Sequence, residues 1–111
     1  MEINWEDFEK IDLRTGTIIK VEDFPEAKNP SYKVWVDFGD KIGIKKSSAQ
    51  ITKIYKKEDL IGKQIIAVVN FPPKQIANFI SEVLITGFVL ENGEVVIAVP
   101  ERKIENGVKL A

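Results

Sequence analysis

Tyr32-Lys33-Val34-Trp35-Val36-Asp37-Phe38, then Gly39-Asp40-Lys41, then Ile42-Gly43-Ile44-Lys45-Lys46-Ser47, is the stretch on which the fold turns. Val34, Val36 and Phe38 fall on one side of an extended chain and Lys33, Trp35 and Asp37 on the other. That period of two predicts a strand with one buried face. Gly39-Asp40-Lys41 is a turn signal, so the second run returns as the partner of a β-hairpin.

Upstream, Leu13-Arg14-Thr15-Gly16-Thr17-Ile18-Ile19-Lys20-Val21-Glu22 is rich in β-branched residues and predicts a strand, with Gly16 marking a bulge or bend. Between the two strands, residues 24–31 hold Pro25 and Pro30 and read as a loop. Asn4 can cap a short helix with Glu6 and Asp7 in its first turn. Trp5 and Phe8 share one face of that helix, which reads as a plug for the end of a barrel or sheet.

Downstream, residues 49–55 and 57–60 read as short helical pieces. Ile65-Ile66-Ala67-Val68-Val69 reads as a buried strand stopped by Asn70-Phe71-Pro72-Pro73. Residues 74–80 have no clear periodicity and read as a linker. Residues 81–90 read as a strand that turns at Asn92-Gly93 into a partner over 95–99. Pro100 ends that partner, and Asn106-Gly107 precedes Val108-Lys109-Leu110. Phe38 and Phe88 sit in strand patterns and are assigned to the core. Tyr32 and Trp35, flanking Lys33, are an arrangement that could stack bases on a barrel face.

Five or six short strands, with a helical insert between the third and fourth, predict a mainly all-β fold. The expected architecture is a five-stranded Greek-key OB-fold barrel, with short helices at the N-terminus and between the third and fourth strands. A β-sandwich is the competitor, but sandwiches usually lack a helical insert at that place. The 111 residues suit one domain spanning 1–111.

Composition removes more chemistry than it supplies. With no Cys there is no disulfide, thiolate nucleophile or Cys-ligated metal. With no His the usual general base near pH 7 is missing. No Gly-x-Ser-x-Gly elbow surrounds Ser81, and no glycine loop is built to cradle phosphate. Asp12 with Arg14 and Ser81 beside Glu82 are the compact polar pairs. An enzyme is therefore not expected, nor is any cofactor or metal. No basic leader or long apolar run occurs, which predicts a cytoplasmic protein without membrane insertion.

Net charge is −1, yet it is unevenly spread. Residues 41–57 hold Lys41, Lys45, Lys46, Lys53, Lys56 and Lys57 without an acid, whereas residues 1–12 hold five acids against Lys10. Bulk attraction to nucleic acid is not expected, and any such binding must come from a local patch. The bland alternative is a solvated lysine surface.

Four blocks carry a family resemblance: Asp12-Leu13-Arg14-Thr15-Gly16-Thr17-Ile18, Lys46-Ser47-Ser48-Ala49-Gln50-Ile51-Thr52, Val68-Val69-Asn70-Phe71-Pro72-Pro73-Lys74 and Ser81-Glu82-Val83-Leu84. In order and spacing they resemble the CsaA proteins, small homodimeric chaperones related to protein export, within the wider OB-fold family of tRNA-binding domains. The resemblance implies a barrel with extra terminal elements through which two chains pair, and a pocket for unfolded or precursor polypeptide. It assigns to that pocket Phe71, Pro72 and Phe79 as apolar walls, with Ser48, Gln50, Asn70, Ser81 and Glu82 as polar groups. The alternative it implies is tRNA binding through the barrel face, with Lys45, Lys46, Lys53, Lys74, Ser81 and Glu82. Lys74 stands alone where relatives commonly carry two adjacent basic residues, which weakens the phosphate-binding case.

Overall fold

Why one long strand can serve two halves of a barrel is visible in β1 (Leu13–Asp23). Its first half pairs with β4 (Gln64–Val68), from Leu13↔Val68 to Thr17↔Gln64. Its second half pairs with β2 (Tyr32–Asp37), from Thr17↔Asp37 to Asp23↔Tyr32. The register shifts between Ile18 and Lys20, so the strand bends there and changes partner. This computed structural model describes residues 1–111. β3 (Ile44–Ala49) pairs with β2, and β7 (Leu84–Ile85) with β4, in an antiparallel order β3-β2-β1-β4-β7. The result is a nearly closed five-stranded OB-fold barrel.

The alternation read from residues 32–38 is the barrel lining. Val34, Val36 and Phe38 are buried together with Ile18, Ile65 and Ala67, and Leu60 closes one end. Leu60 comes from α2 (Lys57–Leu60), the short helix between the third and fourth strands. The plug is therefore α2 and not the N-terminal helix. α1 (Trp5–Glu9) is capped as expected, with Asn4 and Asp7 exchanging side chain-to-backbone hydrogen bonds, but it buries no residue. Its Trp5 and Phe8 rings lie 5.8 Å apart and lean on each other.

Gly16 is required by a close approach and not by the bulge, which lies three residues later. A Cβ there would overlap a Val36 methyl and stand 2.8 Å from two carbons of the Phe38 ring. Both neighbours are fully buried, so neither can retreat. Gly16→Ala is expected to lower stability by about 1–3 kcal/mol, read as a lower urea midpoint at unchanged slope. An unchanged midpoint would show that β1 and β2 can separate at no cost.

Other expectations need correction. Ala49 ends β3, and residues 50–55 form no helix. Residues 74–80 are a hairpin of β5 (Lys74–Ile76) and β6 (Phe79–Ser81), turning at Ala77, whose φ of +52° is left-handed. The strand read over 81–90 breaks at Thr86 into β7 and β8 (Gly87–Val89). Thr86 donates from both N–H (3.0 Å) and Oγ1 (2.7 Å) to the Ile66 carbonyl, while its own carbonyl accepts from Ala98 N–H. It thus passes the chain from β4 to β9 (Val95–Ile97), the partner of β8 across the expected Asn92-Gly93 turn. Phe88 is no core residue: it is 66% exposed on the outer face of that hairpin.

The pair Asp12 and Arg14 is structural. Arg14 Nε donates to Asp12 Oδ1 at 2.6 Å and Nη1 to the Gly107 carbonyl at 3.0 Å. The C-terminal residues thereby lie along β1, with Thr15 N–H donating to Val108 and Leu110 N–H to Leu13. No helix is long and apolar enough to cross a membrane.

Candidate binding site

The edge of β3 that faces away from β2 is where the candidate polar groups converge. Lys46 and Ser48 turn their main-chain groups outward, and residues 81–82 meet them. Glu82 N–H donates to the Lys46 carbonyl (2.8 Å), Lys46 N–H to Glu82 Oε1 (3.1 Å), and Ser48 N–H to Ser81 Oγ (3.0 Å). Two side-chain oxygens and one backbone amide thus act as the missing neighbouring strand. The Ser-Glu pair closes the barrel wall, which fixes both side chains.

Above this seam lies a cleft of about 570 Å³ between Phe71-Pro72-Pro73 on one side and the β5–β6 hairpin on the other. Ser48, Ser81 and Glu82 form its polar floor, Lys74 and Ile76 stand on the hairpin, and Leu84 lines the far end. Phe71 is 53% exposed and Leu84 48%, so the cleft offers apolar surface to a ligand. A second opening of about 520 Å³ shares Ser48 and Leu84 with it and runs on past Gln50 to Gly87 and Val89.

Three of the expected polypeptide-site residues stand outside the first cleft. Gln50 lines the second opening. Asn70 accepts from Asp12 N–H (3.0 Å) and donates to the Lys10 carbonyl (2.7 Å), tying the N-terminal segment to the end of β4. Phe79 is buried on the outer face of the sheet, edge-on to Phe24 at 5.5 Å and to Trp35 at 5.8 Å. Ser48, Phe71, Pro72, Ser81 and Glu82 are the ones brought together.

The lysines sort in the same way. Lys46 stands on the outer face with its ammonium 5.4 Å from the Phe79 ring centre. Lys45 is in the alternate register, with Ser47 and Ala49, and Lys53 donates to the Asn92 carbonyl at the tip of the β8–β9 hairpin. Lys57 is paired with Asp23 at 2.8 Å, and that hydrogen bond raises its pKa above the ordinary lysine value. The run of six lysines is therefore not one surface.

Lys20 and Lys33, neither of them among the lysines expected to bind tRNA, hold their ammoniums over Trp35 (4.6 Å) and Phe24 (5.1 Å). Lys20, Trp35 and Lys46 form one cross-strand row over β1, β2 and β3. The outward parity of Lys33 and Trp35 was available as a signal, but the register joining them to Lys20 was not. Tyr32, of opposite parity, points inward and donates to the Tyr55 carbonyl, so it cannot stack a base.

The family model described as "Putative tRNA binding domain" matches residues 13–109. The CsaA chaperone protein of Picrophilus torridus is 57% identical, with a TM-score of 0.93 over 99% of this chain and 100% of that one. The chaperone CsaA of Bacillus anthracis str. Ames is 52% identical, with a TM-score of 0.94 over the whole of both chains. Among curated relatives, methionine–tRNA ligase of Pyrococcus abyssi is 33% identical over 99% of this chain, which spans only 15% of that protein's length. The chain belongs to the tRNA binding domain family, and within it to the CsaA branch.

Proposed function

We propose that this CsaA-branch member of the tRNA binding domain family is a non-catalytic, dimeric cytoplasmic module that holds unfolded or precursor polypeptides for export. The observation that carries the reading is the cleft in which half-exposed Phe71 and Leu84 stand over a floor of Ser48, Ser81 and Glu82. Apolar walls take side chains, while fixed hydroxyl and carboxylate oxygens receive a peptide's N–H groups without reading its sequence. The CsaA chaperones of Picrophilus torridus and Bacillus anthracis, both more than half identical to this chain, support it.

Pairing is supported by the outer face of the β8–β9 hairpin. Phe88 and Val96 oppose each other across the ladder and both are exposed, with Leu90 beside them. A second copy covering this face removes from water an apolar surface that a monomer rarely shows. Phe71→Ala is expected to weaken binding of reduced, carboxymethylated α-lactalbumin by about tenfold, the scale of an interface hot spot. The melting temperature should change little, because Phe71 is half-exposed and lies outside the buried core. Unchanged affinity would remove the cleft from the reading.

A second reading, tRNA binding, is favoured by the Lys20–Trp35–Lys46 row with Lys33 alongside. The curated relatives, ligases for tRNA, support it. Here the lysine ammoniums already cover the rings, so the face offers cations to phosphates and little open ring to bases.

A further inference from the structure

We infer that the second opening, between the end of β3 and the edge of β8, is a strand-addition site for an extended polypeptide segment held main chain to main chain. This rests on the polypeptide-holding reading and adds how the segment is held.

The argument is one of hydrogen-bond parity. Phe38 N–H donates to the Gly43 carbonyl, which sets the odd-numbered residues of β3 toward β2 and turns Lys46 and Ser48 outward. Ser81 and Glu82 occupy those two rungs, so this edge already seats an extended segment of the chain itself. Gln50 is the next outward position, and its N–H and C=O have no partner within the chain. Across the opening, Leu90 N–H donates to Glu94 and Ala98 N–H to Thr86, which sets the even-numbered residues of β8 toward β9. Gly87 and Val89 therefore turn their main-chain groups away from β9, toward the opening they line.

Two unpaired edges thus flank a gap of about 520 Å³ whose walls include Ile51, Leu84, Ile85 and Val95. β3 and β7 run in the same direction, since each successive neighbour in β3-β2-β1-β4-β7 is antiparallel. A segment running opposite to both makes the stronger antiparallel ladder on each side. Gly87 is glycine because of β9, not the gap: a Cβ there would stand 2.6 Å from a Val95 methyl and 3.0 Å from the Val96 carbonyl. The outer face bearing Phe88 and Val96 points the other way and stays free for a second copy.

The test uses a fluorescent nonapeptide of alternating threonine and valine and the same peptide N-methylated at every second residue, each titrated with the full chain. Methylation removes N–H donors while keeping the side chains. We expect a loss of about tenfold on methylation, since carbonyls in the gap go unpaired. Slowed hydrogen exchange at Gln50, Gly87 and Val89 in the unmethylated complex is expected as well. Equal binding of the two peptides overturns strand addition and leaves polypeptide holding intact. So does failure of both peptides when carboxymethylated α-lactalbumin still binds. If neither peptide nor lactalbumin binds, the polypeptide reading fails first and strand addition with it. Protection of those three amides in the free protein that grows with its concentration assigns the gap to a second copy, which also overturns the inference.

Discussion

Phe79→Ala is expected to cost about 3–5 kcal/mol of stability, the range for removing a buried phenyl ring. The ring is 7% exposed although it lies outside the barrel lining. It packs edge-on against Phe24 and Trp35, with the Lys33 and Lys46 ammoniums 5.7 and 5.4 Å from its centre. These contacts hold the β5–β6 hairpin, whose own ladder has three pairs, down on the outer face of β2. Without the ring, the hairpin keeps its Ser81 and Glu82 bonds to β3 but loses its packing on β2, and the wall that carries Lys74 and Ile76 loosens. A domain of this size has about 5–15 kcal/mol in all, so the loss should appear as a large drop in urea midpoint. Polypeptide affinity falls too, but only as a consequence. The contrast with Phe71→Ala, which should lower affinity at constant stability, separates a wall from the support behind it. A Phe79→Ala protein less than about 1 kcal/mol weaker would mean that the trio of rings holds nothing.

That contrast also marks how far residues alone carry the reading. The alternation of Val34, Val36 and Phe38 is enough for a half-buried strand, because side-chain parity is a local property. Ser81 and Glu82 were legible as a pair but not as a substitute strand, since their partners lie more than thirty residues away on β3. Phe71 and Phe79 look alike in sequence, each beside a break in regular structure. The β5–β6 turn at Ala77, left-handed without a glycine, returns Phe79 to a place under the lysines, while Phe71, before that hairpin, stays half-exposed at the cleft. Residues 50–55 read as a helical piece, but Ile51, Thr52, Ile54 and Tyr55 are poor helix formers, and the stretch follows a strand end that keeps Ala49 and Ile51 in the core. The lysine run misled for a related reason. Proximity along a strand puts alternate residues on opposite faces, and Lys45 and Lys46 part there.

If tRNA is bound, replacing Lys20, Lys33 and Lys46 together by Gln should make its affinity markedly less sensitive to salt. Each phosphate contact contributes a slope of roughly 0.9 to the fall of log affinity with log salt. Three lost contacts lower the slope by about 2.7, which between 50 and 200 mM salt is a factor of about 40. Gln keeps two of the four lysine methylenes and sets a flat amide over Trp35, Phe24 and Phe79, so the fold should hold. Lys45→Gln with Lys53→Gln is the two-lysine control. Those lysines stand near the others in sequence, but one is of opposite parity and the other reaches the β8–β9 tip. If the control lowers the slope by its full share of about 1.8 while the triple variant leaves it unchanged, the sheet face is not the contact surface. A wild-type protein whose tRNA affinity is flat with salt sinks the tRNA reading altogether, because a near-neutral chain can attract a polyanion only through such a patch. Polypeptide binding in the Phe71 cleft should not follow either set, since its one lining lysine is Lys74 and none of the five replaced lysines lines it. Salt titrations of both ligands on the same variants therefore resolve which surface does which work.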